Sequence, residues 1–181
     1  MIDKLYVDVE TNAISYYDPN FKITLVGYQE PGQNVKQVTD IKNLPLCKEL
    51  HGFGNYEFFV CRSQNYPIHK FINQKLKLHL FDENKRWALG SALEFIGKLN
   101  HKFLRQQWEN LKYTWASVPM EYLKPYNKLD VLAMDWIDQW FEGKYSTKQY
   151  NLLQETNQHI CELSWKGIKV DLAENKKQYI Y

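Results

Sequence analysis

The opening strand constrains this chain more than any other feature of its sequence. Leu5-Tyr6-Val7-Asp8-Val9 mixes β-branched, aromatic and apolar residues, the composition of a strand near the middle of a sheet. Asp8 and Glu10 interrupt that run. Residues two apart on a strand point to the same face, so the two carboxylates stand side by side. Neighbouring acids repel, and burying them is costly unless a cation lies between them. Hard divalent ions such as Mg²⁺ take carboxylate oxygens, which makes a metal the economical reason for the pair. The same D-x-E also suits an exposed strand end, and the pair alone does not choose between them.

The elements that follow predict an α/β protein. Asn12 to Asn20 reads as a turn, Lys22 to Gln29 as a second strand, Pro31 to Asn34 as a tight turn and Val35 to Thr39 as a third strand. These three strands form an antiparallel ribbon. A helix is expected over Ile41 to Leu50 and a buried strand over Tyr56 to Cys61. Helical spacing of Ile68, Phe71 and Ile72 follows Pro67, and Leu76 to Phe81 alternates like a short strand. Trp87, Leu89, Leu93, Phe95, Ile96 and Leu99 favour a helix over Glu83 to Leu99. Two more are expected, from Pro119 to Glu142 with Gly143 as the stop, and from Thr147 to Trp165 with Gly167 breaking the pattern. The order β-β-β-α-β-α-β-α-α implies a sheet packed between helices.

At 181 residues and 44% hydrophobic content the chain suits one principal core. No apolar run reaches the roughly 18 residues of a membrane span. Met1-Ile2-Asp3-Lys4 lacks the architecture of a signal peptide. Three scattered cysteines, Cys47, Cys61 and Cys161, make neither a disulfide framework nor a zinc site, so a cytoplasmic setting is expected. The net charge of +2 conceals a division. The stretch from Cys61 to Trp115 carries +6 and the rest of the chain −4. A polyanion lying along one face accounts for this, and so does a solvated lysine-rich surface.

A second candidate lies in Val118 to Trp136. If this stretch is helical, Tyr126 and Asp130 share a face, and a phenol and a carboxylate set this way can hold one water between them. A surface Asp beside a half-buried Tyr is the plainer reading.

Together the two features resemble the DnaQ-like (DEDD) exonucleases. Asp8-Val9-Glu10-Thr11 is similar to that superfamily's first motif, D-x-E-T. Tyr126-Asn127-Lys128-Leu129-Asp130 is similar to its third motif in the Y-x-x-x-D (DEDDy) form, found in family A polymerase proofreading domains and in ribonuclease D. Gly167-Ile168-Lys169-Val170-Asp171 resembles the passage from exonuclease to polymerase domain in family A polymerases. The resemblance implies a ribonuclease H-like mixed sheet flanked by helices, with an exonuclease domain over 1–145 and a helical extension over 146–181. It also implies one or two Mg²⁺ or Mn²⁺ ions held by Asp8, Glu10 and Asp130, with Tyr126 orienting the water. The activity implied is 3'→5' hydrolysis of single-stranded DNA ends by a proofreading domain. Thr11 and Ile14 would touch the terminal nucleotide, and Arg62 and Tyr66 are further substrate-binding candidates. The partners implied are a DNA 3' end and a family A polymerase domain, in cis or as a separate chain. The protein would be a monomer away from membranes, in a cytoplasm or in a viral replication machinery within one.

The second motif, Asn-x-x-(Phe/Tyr)-Asp, follows a hydrophobic strand. Placed after Phe58-Phe59-Val60, it aligns Tyr66 with the aromatic but sets Ser63 where Asn belongs and Pro67 where Asp belongs. On that alignment one metal ligand is missing, with Asp82 as a surrogate and His69 as a weaker one. Losing one ion's contribution costs orders of magnitude in rate. A weakened exonuclease, an inactive DNA-holding module and a ribonuclease D-like exoribonuclease are therefore all open readings.

Overall fold

In a computed structural model, which describes residues 1–13, 15–144 and 146–167, β1 (Ile2–Thr11) runs through the centre of a five-stranded sheet. It pairs antiparallel with β2 (Ile23–Gln29), which pairs antiparallel with β3 (Lys36–Val38). On its other side it pairs parallel with β4 (Cys47–Gly52), and β4 pairs parallel with β5 (Lys70–Asn73). The sheet order is β3-β2-β1-β4-β5, the expected mixture of antiparallel start and parallel continuation. Ile14 and the polymerase-like residues from Ile168 onward lie outside the described residues.

Helices cover both faces of the sheet. Leu5, Val7 and Val9 of β1 point into a core that includes Phe58 and Cys61 of α1 (Tyr56–Ser63) and Cys161 of α6 (Thr147–Lys166). Tyr6 points the other way, against Val131 and Met134 of α5 (Met120–Phe141). Asp8 and Glu10 share its side by the alternation of the strand. α2 (Lys75–Phe81), α3 (Leu89–Phe95) and α4 (Phe103–Asn110) complete this layer: Leu78 and Leu93 pack with Ala133 and Ile137 of α5, while Trp108 packs with Leu123 and Tyr126. At the sheet edge, α6 presents side-chain amides to β5. Asn73 N donates to Gln154 Oε1 at 2.9 Å and Gln154 Nε2 returns to Asn73 O at 2.9 Å. Phe71 N donates to Gln158 Oε1 at 3.2 Å. These bonds satisfy backbone groups that an edge strand leaves open.

At the ends of the chain the expected elements are present, β1 starting three residues before Leu5 and the others agreeing within a residue or two, but the middle is reversed. Ile41–Asn43 forms only a short 3₁₀ turn, and the expected helix is replaced by β4. The expected strand Tyr56–Cys61 is α1, the stretch after Pro67 is β5, and Leu76–Phe81 falls in α2. Aromatic and β-branched residues in Tyr56–Cys61 mimic a strand, yet Glu57, Val60 and Cys61 share the buried side of a helix. An apolar run this short carries no decisive period. The helix expected over Glu83–Leu99 is confined to α3, and Gly97, at φ 73°, lies just past its end. α4 was not expected.

One glycine fixes how closely α5 lies on the sheet. A Cβ on Gly27 of β2 would collide with Asn127 Oδ1 and stand 2.8 Å from Val131 Cγ2. Gly27→Ala should therefore force α5 outward at an overpacking cost of about 1–3 kcal/mol. Urea denaturation should show a lower midpoint with little change in slope.

Candidate metal centre

The mixed sheet brings the carboxylates together. β1 delivers Asp8 and Glu10, and α5 crosses the same face with Tyr126, Asn127 and Asp130 turned inward. One carboxylate oxygen from each of Asp8, Glu10 and Asp130 lies within 4.8 Å of the others. Oxygens bound to one octahedral Mg²⁺ at about 2.1 Å are separated by roughly 3–4.2 Å, so small rotations adapt this trio to a single ion.

The charge of a fourth buried acid bears on them, and it is not in the segment to which the sequence motif points. Because residues 56–63 are helical, the strand-to-helix junction falls at the end of β4, in Gly52-Phe53-Gly54-Asn55-Tyr56-Glu57. Glu57 opens α1, buried, where an acid also benefits from the helix's positive end. Its charge bears on Asp8, Glu10 and Asp130. Gly52 leaves it room, since a Cβ there would meet Glu57 Oε2 at 2.7 Å. Pro67 is exposed in the link between α1 and β5, so it displaces no ligand from the cluster. Asp82 is also exposed. It caps α2, accepts from Asn84 N at 3.1 Å and stands outside the three-acid cluster.

The site is held by neighbours that the motifs did not reveal. Asn127 Nδ2 donates to Asp8 Oδ2 at 2.8 Å and to the Asp8 carbonyl at 3.2 Å. Gln37 Nε2 donates to Asn127 Oδ1 at 3.0 Å, fixing which end of that amide faces Asp8. His101 Nε2 lies 2.6 Å from Asp130 Oδ1, where an N–H on that nitrogen donates to the carboxylate. Lys102 Nζ donates to both Asp130 oxygens, at 2.6 and 2.8 Å, and to Tyr126 Oη at 2.6 Å. Edge-on rings of His101, Trp108 and Trp115 surround the Tyr126 ring. Neither His101 nor Lys102 has a local sequence signature, because the turn before α4 reaches the site only through packing.

The remaining sequence candidates divide. Thr11 is at the site, with its hydroxyl donating to Ala13 O at 2.7 Å and lying 2.7 Å from Tyr56 Oη. With Glu10, Tyr56 and Trp115 it lines a cleft of about 270 Å³. Arg62 instead pairs with Glu162 of α6 and lies over the Phe58 ring, on the opposite layer. Tyr66 is buried in the core there and donates to Pro45 O at 2.7 Å. Neither reaches the cluster, because both belong to the α1 region whose strand assignment was reversed.

The donor set fits a hard divalent cation. Glu10 and Glu57 are each 7% exposed and Asp130 4%. Glu10 Oε1 and Glu57 Oε2 are buried without a hydrogen-bond partner among the described residues. Burial first, then the charge of Asp130, pushes the Glu10 carboxyl up to about 7. Burial likewise pushes Glu57 up to about 7, against hydrogen bonds from the backbone of Glu57 and Gly54. Asp8 is pushed well above the usual carboxylate range by burial, then by Glu10, Asp130 and Glu57. Burial, then Asp130, raises the Tyr126 phenol beyond its ordinary value, so it keeps its proton.

No family model matches the sequence, and no curated protein does. Solved structures do share the architecture. Brucella melitensis NrnC bound to pGG superposes with a TM-score of 0.65 at 15% identity, over 95% of this chain and 90% of that one. NrnC with bound Mg²⁺ gives 0.63 at 13% identity, over 94% and 90%. The EXO domain of Aedes aegypti Nibbler gives 0.54 at 14% identity, over 84% and 86%. At these identities the likeness is one of fold: a ribonuclease H-like α/β sheet flanked by helices.

The raised carboxyls set the sign of a pH dependence. A carboxyl whose value in the folded chain exceeds its ordinary 4.5 binds its proton more tightly folded than unfolded. Stability should therefore fall as pH rises from about 4.5 through 7. In chelator, the melting temperature should drop between about pH 5 and pH 8. Mn²⁺ should restore it, and by more at the higher pH. A flat or rising profile in chelator would contradict the assignment of these two groups.

Proposed function

We propose that this chain is a metal-dependent 3'→5' exonuclease domain acting on single-stranded DNA ends, in the manner of a proofreading domain of a family A polymerase. The observation that carries the reading is the convergence of three carboxylates, Asp8, Glu10 and Asp130, beside a protonated tyrosine, with the charge of the buried Glu57 bearing on them. Taken as the fourth acid, Glu57 removes from the inactive-module reading its premise of a missing one.

Asp8, Glu10 and Asp130 would hold one Mg²⁺ or Mn²⁺, and Asp8 with Glu57 a second. When bound, such ions activate the attacking water and neutralise charge on the departing oxygen. The chain's own residues do the rest. Asn127 holds Asp8 in a single rotamer. His101 holds Asp130. Tyr126 presents a neutral hydroxyl where the water must be aligned, so its proton is available for donation. The cleft between Tyr56 and Trp115 leads directly to Glu10 and is of a size for one nucleobase. Stacking on Trp115 would seat the terminal base without regard to its identity.

One observation favours a second reading, exoribonuclease activity of the ribonuclease D kind: a structure sharing this fold was solved with pGG bound. Matched DNA and RNA oligonucleotides decide between them. With 5'-labelled DNA and Mn²⁺ the wild type should yield a ladder of shortened products. Asp8→Ala and Glu57→Gln should each lower kcat by at least about 100-fold, as expected when several kcal/mol of transition-state stabilisation is lost. Trp115→Ala should mainly raise KM, and Pro67→Asp should gain nothing. Faster trimming of the matched RNA would shift the substrate class, and equal laddering by wild type and Asp8→Ala would reject the proposal.

A further inference from the structure

We propose that Lys102 is a further catalytic residue of this centre, binding the scissile phosphate through its ammonium group. The inference rests on the exonuclease reading and adds to it a protein cation at the reacting group. Its basis is geometric. Lys102 N donates to Asn100 Oδ1 at 3.0 Å, and the neighbouring His101 is buried and bonded to Asp130, so the start of α4 is fixed beside Asp130. The side chain, at 31% exposure, retains freedom. An ammonium has three protons and no acceptor, and here all three have partners: Tyr126 Oη and the two Asp130 oxygens.

That arrangement changes when Asp130 binds a divalent ion. Two cations sharing one carboxylate repel each other, and the monovalent one on a flexible four-carbon stem yields. Lys102 remains tethered through Tyr126 Oη, over whose ring it already sits at 4.3 Å. On the exonuclease reading, the new anion within its reach is then the scissile phosphate bound at the Asp8, Glu10 and Asp130 cluster. Because Tyr126 Oη accepts from Lys102, its own O–H has to donate elsewhere. The pair therefore offers three donors, two N–H and one O–H, to the reacting phosphate and its water. As hydrolysis proceeds, the water gives up one proton to solvent as its oxygen forms a bond to phosphorus, and the P–O3' bond breaks, its electron pair leaving with the 3' oxygen, which takes a proton from solvent. Lys102 stabilises charge gathering on the non-bridging oxygens.

The test compares wild type with Lys102→Met, Lys102→Gln and Lys102→Arg, each first shown folded by its melting curve. Binding of a fluorescein-labelled decathymidylate is measured in Ca²⁺, which takes the same kind of oxygen ligands, over a series of salt concentrations. Losing one phosphate contact on a single strand should lower the log–log salt slope by about 0.7 in Lys102→Met and Lys102→Gln, while Lys102→Arg keeps it. In Mn²⁺ the two neutral variants should lose at least about 10-fold in kcat, with Mn²⁺ binding retained by electron paramagnetic resonance. An unchanged slope with unchanged kcat in either neutral variant overturns the role of Lys102 and leaves the exonuclease reading standing. A wild type that binds the strand without shortening it overturns the exonuclease reading and the catalytic role of Lys102 with it. A wild type that binds no strand overturns both.

Discussion

The site exists because α5 lies close against the sheet, and that closeness depends on a glycine opposite an asparagine. Gly27, paired across to Asp8 in the β1–β2 ladder, presents no side chain to the helix. Asn127 occupies that space and bonds both the carboxylate and the carbonyl of Asp8. One turn further along the same helix comes Asp130. The distance between the β1 pair and the late acid is thus set by packing at Gly27. A helix held an ångström or two higher would leave Asp8 and Asp130 as separate buried acids, each with its desolvation penalty and no shared cation to offset it.

The two ends of that face show how a metal centre differs from ordinary buried charge. Lys4 and Tyr6 lie on the same side of β1 as Asp8 and Glu10. At their end Lys4 pairs with Asp138 at 2.6 Å, Tyr6 donates to the same carboxylate at 2.7 Å, and Lys77 joins them beside a cleft of about 480 Å³. There Asp138 meets two lysines, and Glu49 meets Lys70 and His51. At the other end the three clustered acids, with the charge of Glu57 bearing on them, meet one lysine and one histidine on Asp130, and two carboxylate oxygens have no hydrogen-bond partner among the described residues. Of these two clefts the larger is therefore the better compensated, and the charge imbalance lies at the smaller, where a divalent cation fits.

What the sequence disclosed follows from which signals are local. Asp8 and Glu10 are legible because strand alternation alone puts them on one side, and Tyr126 with Asp130 because a long amphipathic helix has an unambiguous period. Glu57 was hidden by a local ambiguity. Tyr-Glu-Phe-Phe-Val-Cys has strand composition and was read as a strand, which shifted the second motif ten residues downstream to Pro67. The helical period of Glu57, Val60 and Cys61 becomes visible only once β4 is placed before it. His101 and Lys102 carry no period or motif. They matter because the turn ahead of α4 is packed against Tyr126 by Trp108, a tertiary fact with no counterpart along the chain.

On the exonuclease reading, Glu57 stands where the resembled second motif has aspartate, and that difference has its own structural logic. Aspartate at the opening of a helix reaches a metal from a short stem, whereas glutamate extends one methylene further and needs space at its root. Here the residue ending β4 is Gly52, and any side chain there would strike the Glu57 carboxyl. The longer acid and the missing side chain are therefore two halves of one adjustment. The backbone N–H groups of Glu57 and Gly54 steady one end of that carboxyl while Oε2 stays unpartnered beside the other acids. An acid serving only as a helix cap would spend its oxygens on the helix. Glu57 keeps one turned away from it, and that division of the carboxylate is what a shared cation requires.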